Sequence, residues 1–185
     1  TRSAPNVSVE VHSLAPDDIE IAVLDSQATV GVGVFHRHKP GLIYEVLVTE
    51  TIGLYCSTDH PLFEATTTAE VDRILSEANY CKRAYLDENL VAPVSRRLRS
   101  TATAHQIEGV AMMVLTGGYI GYLPESFADI WVRQGRLRAV ANGRFDLQSE
   151  IKLIRKRGDE PNLVTRTFIQ YLKDASKAKV STASE

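Results

Sequence analysis

The chain has 185 residues, 44% of them hydrophobic, which suffices for a buried core without disulfide staples and fits one domain or two small lobes. Its 21 basic and 23 acidic residues give a formal net charge of -2, without the basic excess of a free-standing DNA-binding domain. The two cysteines, Cys56 and Cys81, form neither a disulfide framework nor a metal-ligand pattern and read as reduced, buried thiols of a cytosolic protein.

From the N-terminus, Thr1-Arg2-Ser3-Ala4-Pro5 has no apolar signal core, and no apolar run approaches the roughly 20 residues of a membrane span. The chain opens without methionine, as expected of a portion of something longer. Val7, Val9 and Val11 alternate with polar residues and predict a half-buried strand. Pro16-Asp17-Asp18 opens a helix, because proline suits the first turn and acidic groups oppose the positive dipole end. Residues 28–35 are apolar nearly throughout and predict a strand covered on both faces. The opening thus reads β-α-β, with its two strands as parallel neighbours.

A polar turn, His36 to Gly41, precedes two predicted strands at 42–47 and 51–57. Asp59-His60-Pro61-Leu62 breaks the pattern, and His60 is expected to hold that turn by a side-chain hydrogen bond. Helical spacing marks 68–77 through Val71, Ile74 and Leu75, Tyr80–Leu86 reads as a strand, and Val91–Leu98 as a connector. Residues 105–116 read as a helix stopped by Gly117-Gly118, followed by a strand at 119–123 that Pro124 ends. A short helix over 125–134 closes at Gly135, and strands follow at 137–140 and 150–155. Pro161-Asn162 starts the last helix, with Leu163, Phe168, Ile169 and Leu172 as its buried stripe and a polar, disordered tail from Ser176. Strands alternating with helices point to an open α/β sheet, whose ligands bind beyond the carboxyl ends of its strands.

Three segments together resemble the effector-binding domain of LysR-type transcription regulators. They are Ala4-Pro5-Asn6-Val7 with its alternating continuation, Tyr55 to Leu62 with its Asp-His-Pro-Leu ending, and Val110 to Pro124 with its helix, Gly-Gly turn, apolar strand and Leu-Pro. The stretch from Phe127 to Leu137, ending in Gly-Arg-Leu, is similar to the family's approach to its next strand. The resemblance covers roughly residues 4–175. It implies a bacterial, cytoplasmic α/β protein of two Rossmann-like lobes joined by crossover strands, like a type 2 periplasmic binding protein. Lobe one would hold 1–48 and 149–185, and lobe two 49–148. The family's helix-turn-helix, through which DNA would be bound, is absent from this sequence. Its first effector-domain strand, which contributes to the pocket, is expected to precede Thr1. The resemblance implies an effector cleft between the lobes and a head-to-tail homodimer.

Within that frame, the expected helix start at Thr103-Ala104-His105 offers free backbone N–H groups and a positive dipole end, suited to a carboxylate. Thr101 and Thr103 would add hydroxyl donors, unless Thr103 merely caps the helix. Gly33, Phe35 and His36 end the second predicted strand at its ligand-favoured edge, where His36 would face an anion and Phe35 a ring, unless Phe35 lies in the core and His36 in solvent. The cluster His36-Arg37-His38-Lys39 lacks metal-ligand spacing, and no cofactor motif is present. The dimer implied by the resemblance sets Val7, Val9 and Val11 of one chain against Ile107, Val110, Met113 and Val114 of its partner, with a helix buried wholly within one chain as the alternative. The function expected is sensing of a small organic effector, an anion in view of the helix start, by a regulator module. Its rivals are a stand-alone solute-binding protein and a small α/β enzyme, although no convergent acid, base or nucleophile set can be assembled.

Overall fold

The computed structural model describes residues 7–86 and 98–182, with side chains through residue 176. The chain divides into two compact units, Glu50–Ser149 and Thr1–Thr49 with Glu150–Glu185. Two strands carry the chain between them: β2 (Leu42–Ser57) and β7 (Leu147–Lys156). The sequence suggests two strands where β2 is one, because Val48-Thr49-Glu50 contains neither glycine nor proline to break it.

The unit Glu50–Ser149 is a sheet with helices on both faces. Its strand order is β4 (Arg99–Ala104), β3 (Asn79–Arg83), β5 (Ile120–Pro124), β2, β6 (Leu137–Ala139). β3 runs parallel to β4 and β5, and β2 runs antiparallel to β5 and β6. Successive strand residues face opposite sides. Ile52, Leu54, Tyr80 and Tyr122 therefore pack with Val71 and Leu75 of α2 (Thr68–Glu77) on one side. Tyr55, Cys81 and Leu123 pack with α3 (Ile107–Leu115) and α4 (Glu125–Arg133) on the other. The start of α2 is set locally: the Thr67 hydroxyl accepts from the Glu70 N–H at 3.3 Å, satisfying one of the free donors of the first turn. The His60 turn is held as expected, its Nδ1 accepting from the Leu62 N–H at 3.1 Å. Arg138 braces the same turn from β6, donating to the Leu62 and Ala65 carbonyls at 3.2 Å each.

Two glycines shape the other face. Gly117 ends α3 at φ +82, where only glycine is unstrained, and a Cβ there would meet the Asp59 Cβ at 2.8 Å. Gly121 lets α3 close on the sheet: a Cβ would meet Val110 Cγ1 at 2.6 Å and Val114 Cγ2 at 3.0 Å.

The second unit contains α1 (Pro16–Leu24), β1 (Gly31–Gly33), the outer parts of β2 and β7, and α5 (Leu163–Thr182). Pro16 begins α1 as expected, and its small core joins Val23, Phe35, Leu42 and Ile154. The predicted β-α-β opening is corrected here. Residues 7–15 belong to no strand, and β1 is short and pairs antiparallel with β7, Val32 opposite Leu153. Alternation gives residues 7–11 two faces, but a strand exists only where a neighbour completes its hydrogen bonds, and no described strand does.

Three further expectations change. Residues 99–104 form β4 rather than the approach to a helix, their alternating Ser-Thr-Ala-Thr completing a parallel ladder with β3. Asn162 caps α5, its Oδ1 accepting from the Thr165 N–H at 2.9 Å, but Leu163 is 79% and Phe168 40% exposed, so those two do not belong to a buried stripe. The helix continues through Thr182 instead of ending in a disordered tail from Ser176. The connector proposed at 91–98 lies, up to residue 97, outside the described residues.

Candidate ligand-binding site

The carboxyl ends of parallel strands β3 and β4 lie side by side, with Arg83 opposite Ala104. The ladder continues one step further, the Ala84 N–H donating to the Ala104 carbonyl at 3.0 Å. The chain then turns through His105 and Gln106 into α3. Gln106 occupies the cap position without a side-chain cap hydrogen bond; its carbonyl accepts from the Gly109 N–H at 3.1 Å and the Val110 N–H at 3.3 Å, and its side chain satisfies none of the first donors of α3. Tyr85 and His105 meet across the turn: the tyrosine oxygen lies 3.3 Å from His105 Nδ1, and the rings are 5.8 Å apart, edge to face.

This arrangement revises the roles given to several residues. Thr103 is not the cap of α3, because it lies on β4, four residues before the helix. Thr101 and Thr103 share the exposed face of that strand, and the Thr101 hydroxyl donates to Asn79 Oδ1 at 3.2 Å. Ala102 and Ala104 point the other way, into the core beneath α3. His105 is exposed just before the helix, where the expected anion-favouring backbone begins two residues later than the sequence suggests.

Arg83 belongs to the same edge and escaped the sequence reading. It follows Cys81 by two positions and so faces the α3 side of the sheet. Its Nε is buried and has no hydrogen-bond partner among the described residues. Burial pushes the guanidinium pKa down, opposed by the charges of Glu50 and of Glu108 in the first turn of α3. Hydropathy patterns cannot flag an arginine of this kind. The available signal was its position at the end of a predicted strand, where open sheets bind ligands.

In the other unit, Gly33 ends β1 opposite Lys152. Phe35 is buried in the core with its ring edge against Tyr44 at 5.8 Å, so it does not offer a stacking face, and packing overrides its position at a strand end. His36 is exposed in the following turn. His38 and Lys39 of the basic turn are tied down by their own unit. His38 stacks on Tyr44 at 4.1 Å, and Lys39 pairs with the buried carboxylate of Glu20 at 3.2 Å. Tyr44 donates to that carboxylate and accepts from the Lys39 backbone N–H at 2.9 Å. Burial, then the bond to Glu20, pushes its hydroxyl pKa up to about 12. Among the described residues no cluster of three His, Cys, Asp or Glu residues could hold a metal.

A cleft of about 420 Å³ also lies in this unit, between the end of β7 and the start of α5. Ser26, Thr29, Arg155, Lys156, Asp159 and Asn162 line it. It sits at the end of β7 farthest from Glu150, where the strand enters the unit.

Of the residues expected at a dimer contact, Val110 and Val114 are wholly buried over Gly121 and present no surface. Ile107 and Met113 are half-buried, as is Val7. Val9 and Val11 are 53% and 86% exposed. The exposed apolar residue of α3 is Met112, at 70%.

Comparison with known proteins places this geometry in a family context. A family model described as the LysR substrate binding domain matches residues 1–177. The HTH-type transcriptional activator BauR of Pseudomonas aeruginosa is 35% identical over 167 residues, covering 90% of this chain and 54% of that protein. The chain thus spans about half the length of this curated relative. Among solved structures, the apo regulatory domain of HypT from Salmonella typhimurium superposes with a TM-score of 0.74 at 14% identity, covering 94% of this chain and 85% of that one. The regulatory domain of CcmR from Synechocystis PCC6803, in complex with 2-PG, gives a TM-score of 0.75 at 14% identity, covering 95% and 86%.

Proposed function

The chain belongs to the LysR substrate-binding-domain family, with that family's type 2 periplasmic-binding-protein-like α/β fold, and from this premise we propose that it senses a small organic anion for a transcription regulator. The observation that carries the reading is the family match across residues 1–177. The family points to a regulator rather than an enzyme. Among the described residues no helix is long and apolar enough to cross a membrane, and cytoplasmic residence is part of the proposal.

The anionic character of the effector is argued from the edge of β3 and β4. The start of α3 carries a positive dipole end with no side-chain cap at Gln106, and His105 and Thr103 are exposed beside it. Gly33 and His36, in the other unit, are the further residues proposed for effector binding. An effector acts only through different affinities for two arrangements of its receptor. The readout proposed is a homodimer whose helix-turn-helix, outside this sequence, meets DNA. For the dimer contact, exposed Val9 and Val11 on one chain and Ile107 and Met113 on its partner remain the candidates.

A thermal-shift screen of the complete effector domain against carboxylates, amino acids and neutral analogues tests the reading. A saturable rise in midpoint for one anionic class is expected, since a ligand at one hundred times its Kd stabilises the native state by about 2.7 kcal/mol. A rise confined to neutral compounds would remove the anionic assignment. Val11→Asp should shift the protein toward monomer in sedimentation, and an unchanged mass would count against the proposed contact.

A further inference from the structure

We propose that Arg83 receives the effector's carboxylate. The inference rests on the sensor reading above and adds to it a specific residue and a ligand group. Arginine presents a planar fork of N–H donors whose geometry matches a carboxylate, and among the described residues the buried Nε of Arg83 has no hydrogen-bond acceptor. A buried donor without an acceptor destabilises the protein that contains it, so its retention calls for a partner that arrives later.

The surroundings select the charge of that partner. Arg83 ends β3 on the face covered by α3, whose first turn has the same positive polarity. A cation and a helix N-terminus disfavour each other, and an anion beside both relieves both. Glu50 and Glu108 already lend negative charge to Arg83. Neither closes an ion pair with it within 4.0 Å among the described residues. These two carboxylates already outnumber the single charge of Arg83, so they oppose any further negative charge and oppose two of them more than one. A monoanionic carboxylate therefore fits better than a dianionic phosphate monoester, although both offer oxyanions to the fork.

The test compares the wild-type domain with Arg83→Met and Glu108→Gln, by calorimetric titration and thermal shift. The probes are alkyl and aryl carboxylates with their matched phosphate monoesters and amides. Wild type is expected to bind at least one carboxylate more tightly than its matched phosphate and amide. Arg83→Met should weaken that carboxylate at least tenfold, yet melt no lower than wild type without ligand. A structural arginine would give the opposite midpoint change. Glu108→Gln should tighten the same carboxylate about threefold by removing a competing charge, which keeps the proposal testable should Arg83→Met fail to fold. Equal carboxylate affinity in wild type and Arg83→Met would overturn the role of Arg83 and leave the anion-sensor reading standing. An Arg83-dependent preference for the phosphate would overturn the carboxylate assignment. A Glu108→Gln variant with unchanged or weaker binding would overturn the electrostatic argument for Arg83. A wild-type domain that no carboxylate stabilises would overturn both the anion reading and the proposal.

Discussion

The units Glu50–Ser149 and Thr1–Thr49 with Glu150–Glu185 bury their apolar side chains to different degrees. The first has apolar packing on both faces of its sheet, with Leu54 and Tyr55, adjacent in sequence, buried on opposite sides. The second joins four buried residues into its core and leaves Val9, Val11, Val32, Leu163 and Phe168 substantially exposed. Adjacent strand residues are buried on opposite faces in the second unit too, at Leu153 and Ile154 of β7, so the contrast lies in how much apolar surface each unit gathers, and the stabilisation scales with that area. Cooperative stability should therefore concentrate in the first unit, with amide exchange slowest in the inner part of β2, in β3 and in β5.

Substitutions can break or sharpen this contrast. The largest effect is expected from Leu54→Ala, which should lower stability by about 2–5 kcal/mol through lost transfer energy and a cavity. Denaturant titration with a fluorescence or circular-dichroism readout would measure it. Gly121→Ala comes next, because its methyl would press into Val110 and Val114, and overpacking of this kind costs about 1–3 kcal/mol. A neutral result there would show that α3 can move off the sheet.

The His60 turn adds a pH dependence to the first unit. Burial holds the His60 pKa below the ordinary 6.5, and its Nδ1 must stay unprotonated to accept from Leu62. Below pH 6.5 the unfolded chain binds this proton before the folded chain does, so stability should fall as pH drops through that value and level off below the folded pKa. His60→Asn keeps an acceptor in the turn and removes the titration. Its denaturation midpoint should vary less between pH 7.5 and 5 than that of wild type. The smallest effect is expected in the second unit: Leu163→Ser, at an exposed position on α5, should change stability by no more than about 0.5 kcal/mol. A larger loss would reveal that α5 is covered in solution.

The contrast also separates what the sequence reveals from what it conceals. The helices with local signals were legible: Pro16 opens α1, the spacing of Val71, Ile74 and Leu75 marks α2, and Gly117 and Gly135 follow α3 and α4 at positive φ. The motifs around Asp59 to Leu62 and from Val110 to Pro124 led to the family that the match over residues 1–177 establishes. Of the candidate site, the region around His105 was legible as the approach to a helix, but the boundary was misplaced. Thr101 and Thr103 fit a helix start as readily as a strand, and only the ladder with β3 decides between them.

Composition, turn residues and apolar spacing thus determined that this is an α/β chain and where most of its helices lie, and its motifs carried the resemblance to the family. These are local or nearest-neighbour properties of the polypeptide. The tertiary structure decided which alternating segments are strands at all, as residues 7–11 and 99–104 illustrate in opposite senses. It also turned Val110 and Val114 into the core over Gly121 and buried the Nε of Arg83. Pairing and burial depend on partners distant in sequence: Val32 finds its ladder neighbour at Leu153, and Arg83 its place beneath a helix that begins at Ile107.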